Sequence, residues 1–153
     1  MLIKRGANLG ILLLVLFLLV GCAGGGSTDP DEIMIHAIAD SIKTAIEDKD
    51  VDMFMTNVSL DYSDSAGGTY ESIRTMAQNM ISQLEAVESS YGVNLTINTS
   101  ISNLVVVDST ANSDLKITFS VVIIIPVYSE DRTFETIFQK VDTSWKITSM
   151  IEI

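Results

Sequence analysis

Ile73, Met76, Ala77, Met80, Ile81, Leu84 and Val87 follow one another at spacings of 3, 1, 3, 1, 3 and 3. Those positions fall on one side of a 3.6-residue period. The stretch is therefore an amphipathic helix that must lay its apolar stripe against another layer. Thr69 caps its start, Glu71 sits favourably in its first turn, and it ends near Ser90, before Gly92. The layer it needs comes later in the chain. Leu115, Ile117, Phe119, Val121, Ile123 and Ile125 alternate with Lys116, Thr118 and Ser120, and a period of two makes a strand with one buried face. From Val121 to Ile125 both faces are apolar, which predicts cover on both sides there, and Pro126 suits the strand's end.

Asp29-Pro30-Asp31-Glu32 opens another helix. Asp29 can accept from free N–H groups, Pro30 fits the first helical position, and Glu32 completes a capping box. Ile35, Ile38, Ile42, Ala45 and Ile46 give this helix one apolar face as far as about Asp48. Val51 to Val58 predicts a shorter helix with Met53, Phe54 and Val58 turned inward. Ser59 to Asp64 reads as a short strand or extended segment, and Ser65-Ala66-Gly67-Gly68 as a turn. Leu95 to Val107 is rich in Thr, Ile and Val, Asp108 to Asp114 is a polar turn, and Thr133 to Val141 and Trp145 to Ile153 are two further strands joined by Asp142-Thr143-Ser144. Short links predict antiparallel neighbours. Helices grouped on one face of such a sheet make an α+β two-layer domain, expected here as a single unit over residues 30–153.

The charge balance excludes several partners. The chain carries 9 Lys+Arg against 20 Asp+Glu, a formal net charge of −11. Lys4 and Arg5 precede residue 22, so the remainder is more acidic still. Phosphate backbones and anionic lipid surfaces both select basic footprints, so nucleic acid is not an expected partner. The one cysteine permits no intrachain disulfide.

That cysteine has a context. Lys4 and Arg5 are followed by the apolar run Ile11 to Val20, too short for a stable membrane span and the right length for the core of a signal peptide. It ends in Leu19-Val20-Gly21-Cys22, which resembles the lipobox of bacterial lipoproteins. The resemblance implies cleavage between Gly21 and Cys22, diacylglycerol on the Cys22 thiol, and anchorage in a cell-envelope membrane through that lipid. It divides the chain into a signal peptide (1–21), a lipidated Cys with a flexible tether (22–29) and the domain (30–153). Ala23 rather than Asp after the Cys implies, in a Gram-negative envelope, the outer membrane facing the periplasm. The alternative is an ordinary cleaved signal, or an uncleaved anchor, with a chance Cys.

The domain itself resembles the nuclear-transport-factor-2-like superfamily, the cone-shaped α+β fold. The resemblance runs from about Asp31 to Ile153. It rests on element order, on Asp61-Tyr62-Ser63-Asp64 followed by Gly67-Gly68 before a helix, and on the closing Trp145-Lys146-Ile147. It implies a strongly curved antiparallel sheet of about four long strands around the long helix, with a pocket at the open end. Members include isomerases, dehydratases and scaffold domains, so fold does not settle function.

Tyr62, Asp64 and Trp145 are the candidate pocket residues. A carboxylate and a phenol inside a cone can move protons if burial raises the carboxylate's pKa. The competing reading has Asp64 capping the Gly67-Gly68 turn, Tyr62 packing at the rim and Trp145 in the core or wall. His36, the only histidine, shares a helix face with Asp40, Lys43 and Glu47 and reads as a solvated surface. Met53, Met55, Met76 and Met80 fit the core or an adaptable apolar pocket. No metal set, phosphate loop or nucleophilic triad is present, so no metal or cofactor is expected and no catalytic residue is assigned.

Three functions fit this sequence. The first is a non-enzymatic envelope lipoprotein binding a small apolar ligand or an envelope protein. The second is an acid–base enzyme of isomerase or dehydratase type using carboxylates in the cone. The third is a homodimerising assembly module, for which Val121 to Val127 on the sheet is the candidate surface.

Overall fold

The computed structural model describes residues 29–93, 95–122 and 126–153. The expected signal peptide (1–21) and residues 22–28, the expected lipidated Cys22 and most of its tether, lie outside them. So do the side chains of residues 121–128, on which the expectations of a strand covered on both sides and of a dimer surface rest. Among the described residues no helix is long and apolar enough to cross a membrane.

Helix α1 (Pro30–Glu47) begins where the sequence places it. Asp29 has extended backbone, and its carboxylate accepts from the Asp31 N–H at 2.9 Å. Ile35, Ile38, Ala39, Ile42, Ala45 and Ile46 are buried along one face. Helix α2 (Val51–Met55) is capped by Asp50 and stops three residues short of the expected Val58. Phe54 and Met55 are buried there, and Met53 only packs against the core from its edge. Residues 59–64 do not form a strand. They make turns with one isolated bridge, Ser63 to Thr69, and a second, Val58 to Ile147, falls just before them. Helix α3 (Tyr70–Tyr91) starts in a reciprocal capping box between Thr69 and Ser72 and ends on Gly92 at φ +63°, where a left-handed residue closes the last turn.

Strands β1 (Thr96–Val107), β2 (Thr110–Val122), β3 (Pro126–Val141) and β4 (Ser144–Glu152) form one antiparallel sheet in sequence order. The polar run 108–114 is not one long turn. Asp108 and Ser109 alone make the turn, and residues 110–114 belong to β2. Likewise Asp142-Thr143 suffices between β3 and β4. Asp108 and Asp142 both sit near φ +55° (53° and 56°), which a short Asp side chain tolerates. Pro126 opens β3 rather than closing a strand, so β3 is longer than expected.

The sheet bends because its ladders slip. Register shifts fall between Ser102 and Val105, between Val121 and Val122, and between Ile137 and Phe138. Bulges of this kind increase local twist and curve a sheet. The shift beside Phe138 sets Thr148 out of step, so Trp145, Ile147 and Met150 all face the core. One face of the sheet thus carries Ile97, Ala111, Leu115, Ile117, Phe119, Phe134 and Phe138 inward. Helix α1 lies on β1, where Thr99 Oγ1 donates to the Ala39 carbonyl at 3.0 Å, and α2 packs between α1 and α3. This is an α+β two-layer domain, helices on a four-stranded antiparallel sheet.

Candidate functional site

Tyr62 and Asp64 meet, although the residues around them make turns and not the expected strand. The phenol is buried, 4% exposed, while Asp61 points to solvent. Met150 N–H donates to the Tyr62 oxygen at 2.9 Å. The same oxygen lies 3.0 Å from Asp64 Oδ2 and 2.9 Å from the Met150 carbonyl, so its proton has two acceptors. Burial raises the phenol's pKa, the Met150 N–H opposes that, and the Asp64 carboxylate raises it further.

Those contacts have a structural purpose. Strand β4 is an edge, with backbone groups that need partners. Ile147 exchanges bonds with Asn57 and Ser59, Thr148 accepts from Ser63 N–H, and the Tyr62 phenol covers Met150. The 57–63 segment is a substitute fifth strand, and Tyr62 is its last rung.

Asp64 holds the turn before α3. Its Oδ1 accepts from Gly68 N–H at 2.7 Å and Ala66 N–H at 2.9 Å. The Gly68 N–H foremost, against the opposing effect of burial and with help from Tyr62 and the Ala66 and Gly67 amides, holds its pKa below the usual carboxylate value. An acid–base catalyst working near neutral pH needs the opposite shift.

Trp145 sits elsewhere, five residues along β4 from Met150. It is buried and donates from Nε1 to Asp31 Oδ1 at 2.9 Å. Lys140 Nζ reaches the same oxygen at 2.6 Å and lies 5.8 Å above the indole ring. The Lys140 bond first, then that from Trp145, holds the Asp31 carboxyl below its ordinary pKa. This trio ties the start of α1 to the β3–β4 hairpin. The structure therefore joins Tyr62 to Asp64 and separates Trp145 from both.

The cavity that the fold forms has different walls. A pocket of about 360 Å³ lies between the last turns of α3 and the far strand ends, bounded by Met80, Leu84, Val87, Leu95, Phe119 and Arg132. A smaller one, about 170 Å³, adjoins it beneath Lys49 and Glu88. Leu84 and Leu95 line both, so they form the partition. The helix periodicity assigns Leu84 and Val87 to the core, yet both are only half-buried, because α3 runs on past the core and becomes a pocket wall. Glu88 fixes the adjoining loop, pairing with Lys49 at 2.8 Å and accepting from Leu95 N–H at 3.1 Å. Lys49 first, then that amide, lowers the Glu88 pKa.

The pocket's polar floor lies on β3. Arg132 Nε donates to Glu130 Oε1 at 3.0 Å, and its other nitrogen stands 4.0 Å from Glu152 Oε2. Sequence reading missed these residues by starting the strand at Thr133. Counting back in twos from Phe138 and Phe134 lands on Arg132 and Glu130, charged residues at inward parity, and that was the available signal. His36 is exposed, and Lys43 and Glu47 pair at 3.7 Å beside it, as a solvated helix face requires. Among the described residues no group of His, Cys, Asp or Glu could hold a metal ion.

No protein-family model matches the chain, and no curated protein matches it. Solved structures do. A protein of unknown function with a cystatin-like fold from Nostoc punctiforme superposes with a TM-score of 0.58 at 14% identity, over 82% of this chain and 91% of that one. An NTF-2 like protein of unknown function from Shewanella oneidensis gives 0.51 at 14% identity, over 80% and 98%. A scytalone dehydratase-like protein from Novosphingobium aromaticivorans gives 0.56 at 11% identity, over 80% and 82%. The domain has the fold of nuclear-transport-factor-2-like and cystatin-like proteins, a fold that carries proteins without known activity alongside dehydratase-like ones. Identities this low define the fold alone.

Proposed function

We propose that this chain is a lipid-anchored envelope protein whose cone binds a small apolar ligand without transforming it. The observation that carries the ligand reading is the 360 Å³ pocket walled by Met80, Leu84, Val87, Leu95 and Phe119. Apolar walls with a few polar groups at one end are the usual make-up of a small-molecule site. Its cation is already compensated, since Arg132 stands between Glu130 and Glu152. The carboxylate that the sequence offered for acid–base work, Asp64, is committed to a turn with its pKa lowered. Anchorage rests on Leu19-Val20-Gly21-Cys22, with Ala23 favouring the outer membrane of a Gram-negative host.

Two measurements test the two halves. Radiolabelled palmitate should enter the wild-type chain in a bacterial host and not the Cys22→Ser variant; equal labelling of both sinks the anchor. The soluble domain from Ser27 to Ile153, purified natively, should bind an environment-sensitive apolar dye, and Leu84→Glu should abolish binding while leaving the far-ultraviolet circular dichroism intact. Dye binding unchanged in Leu84→Glu would place the ligand outside this pocket.

A further inference from the structure

Two features of the fold lie at opposite ends of the sheet. The described chain enters at Asp29, and two residues later Asp31 is fixed to Lys140 and Trp145. Lys140 N–H in turn donates to the Ser109 carbonyl at 2.8 Å. The entry point is thus level with the β1–β2 and β3–β4 turns. The pocket is bounded by Phe119, Glu130, Arg132, Leu95 and the last turns of α3. Phe119 pairs with Glu130 eight residues along β2 from Ala111, which pairs with Phe138 beside the turns. Eight residues of strand span about 26 Å at roughly 3.3 Å each.

We infer that the anchored protein holds its pocket away from the bilayer that carries it, so that the ligand is exchanged with the aqueous compartment and not drawn from the anchoring leaflet. The inference rests on the lipid anchor and the pocket proposed above. Six residues, 23–28, separate the lipidated Cys22 from Asp29, where the described chain begins, which makes seven Cα-to-Cα steps. Fully extended, those seven steps reach about 25 Å, at no more than ~3.6 Å each. Laying the pocket end on the membrane would require the tether to double back along the sheet at nearly its full extension, at the greatest cost in chain entropy. With the turn end down, the same tether is ample. No cysteine other than Cys22 occurs in the chain, so a second thiol can be introduced as a unique label.

The experiment uses the lipidated full-length protein in phosphatidylcholine vesicles that contain an acceptor-labelled headgroup. A donor is placed on Ser144→Cys, where β4 leaves the turn, or on Gln83→Cys, an exposed position of α3 that borders the pocket. Energy transfer should be clearly stronger from residue 144, by the difference that about 26 Å of strand implies. Inserting 20 Gly/Ser residues after Ser27 should erase the difference, which shows that tether length sets the orientation. Vesicle-bound protein with equal or stronger transfer from residue 83 overturns the inference and leaves the anchor standing. Failure of the unaltered protein to associate with vesicles overturns the anchor, and the inference with it.

Discussion

Tyr62 is the side chain whose removal separates a structural role from a chemical one. Its oxygen is buried against Met150 and Asp64, so Tyr62→Phe strands the Met150 N–H at an edge strand. A buried donor left without a partner costs about 1–3 kcal/mol. Urea unfolding of the soluble domain should show a loss in that range with an unchanged dye affinity, because Tyr62 does not line the pocket. Asp64 gives the second test. Its pKa is lower folded than unfolded, chiefly through the Gly68 N–H. A group of that kind stabilises fully above its unfolded pKa, near 4, and loses its contribution as pH falls through the depressed folded value. Wild type should therefore lose thermal stability below about pH 4 more steeply than Asp64→Asn. Parallel melting curves between pH 2 and 5 would remove Asp64 from the acid limb.

Short elements decide where the long ones begin, and here the sequence was legible in unequal measure. The stripe from Ile73 to Val87 and the caps at Asp29 and Thr69 act locally, and each is where the pattern predicts. Residues 59–64 look like a strand because alternation and β-forming residues are present. A turn closed by Tyr62 N–H on the Ser59 carbonyl breaks the ladder between Ser59 and Ser63, whose N–H groups bond β4, and that is a tertiary fact. The run 108–114 looks like a loop because its residues are small and polar. They enter β2 because they pair with β1 on one side and β3 on the other and bury Ala111 and Ser113, which no local propensity records. By residue type Trp145 fits the pocket and the core or wall alike, and which end of the cone a strand position occupies depends on register. The turn preceding α3 offers a graded test at this scale. Thr69→Ala removes a cap and should cost about 1 kcal/mol. Gly68→Ala should cost more, since any Cβ there collides with the Asp64 carboxylate and displaces the acceptor of two amides. Hydrogen exchange should speed up in the first turn of α3 in both variants, and further in Gly68→Ala; equal effects would mean that Asp64 can leave the turn freely.

At the scale of the molecule, one core serves all seven elements. Residues from α1, α2 and α3 and from every strand join a single buried cluster, so no part can lose its packing alone. Unfolding of the soluble domain should then be one transition. Trp145, the sole tryptophan, reports the turn end, whereas far-ultraviolet dichroism reports helices that extend to the opposite end. The two signals should give one midpoint in urea; a separate, earlier dichroic change would show α3 detaching by itself and the pocket opening as a unit. The same core works against the chain's charge. With 20 acids against 9 bases, folding concentrates negative charge, and the ion pairs at the surface offset only part of it. Self-repulsion of this kind weakens the compact state and is screened by salt over about 10 Å at 0.1 M. Raising sodium chloride from about 0.01 to 0.5 M should therefore raise the melting temperature. Surface ion pairs weaken over the same range, so the sign of the change reports which effect is larger. Here the excess of carboxylates makes repulsion the larger one. A melting temperature that falls with salt would instead mean that pairs such as Lys49–Glu88 and Lys140–Asp31 hold the cone together.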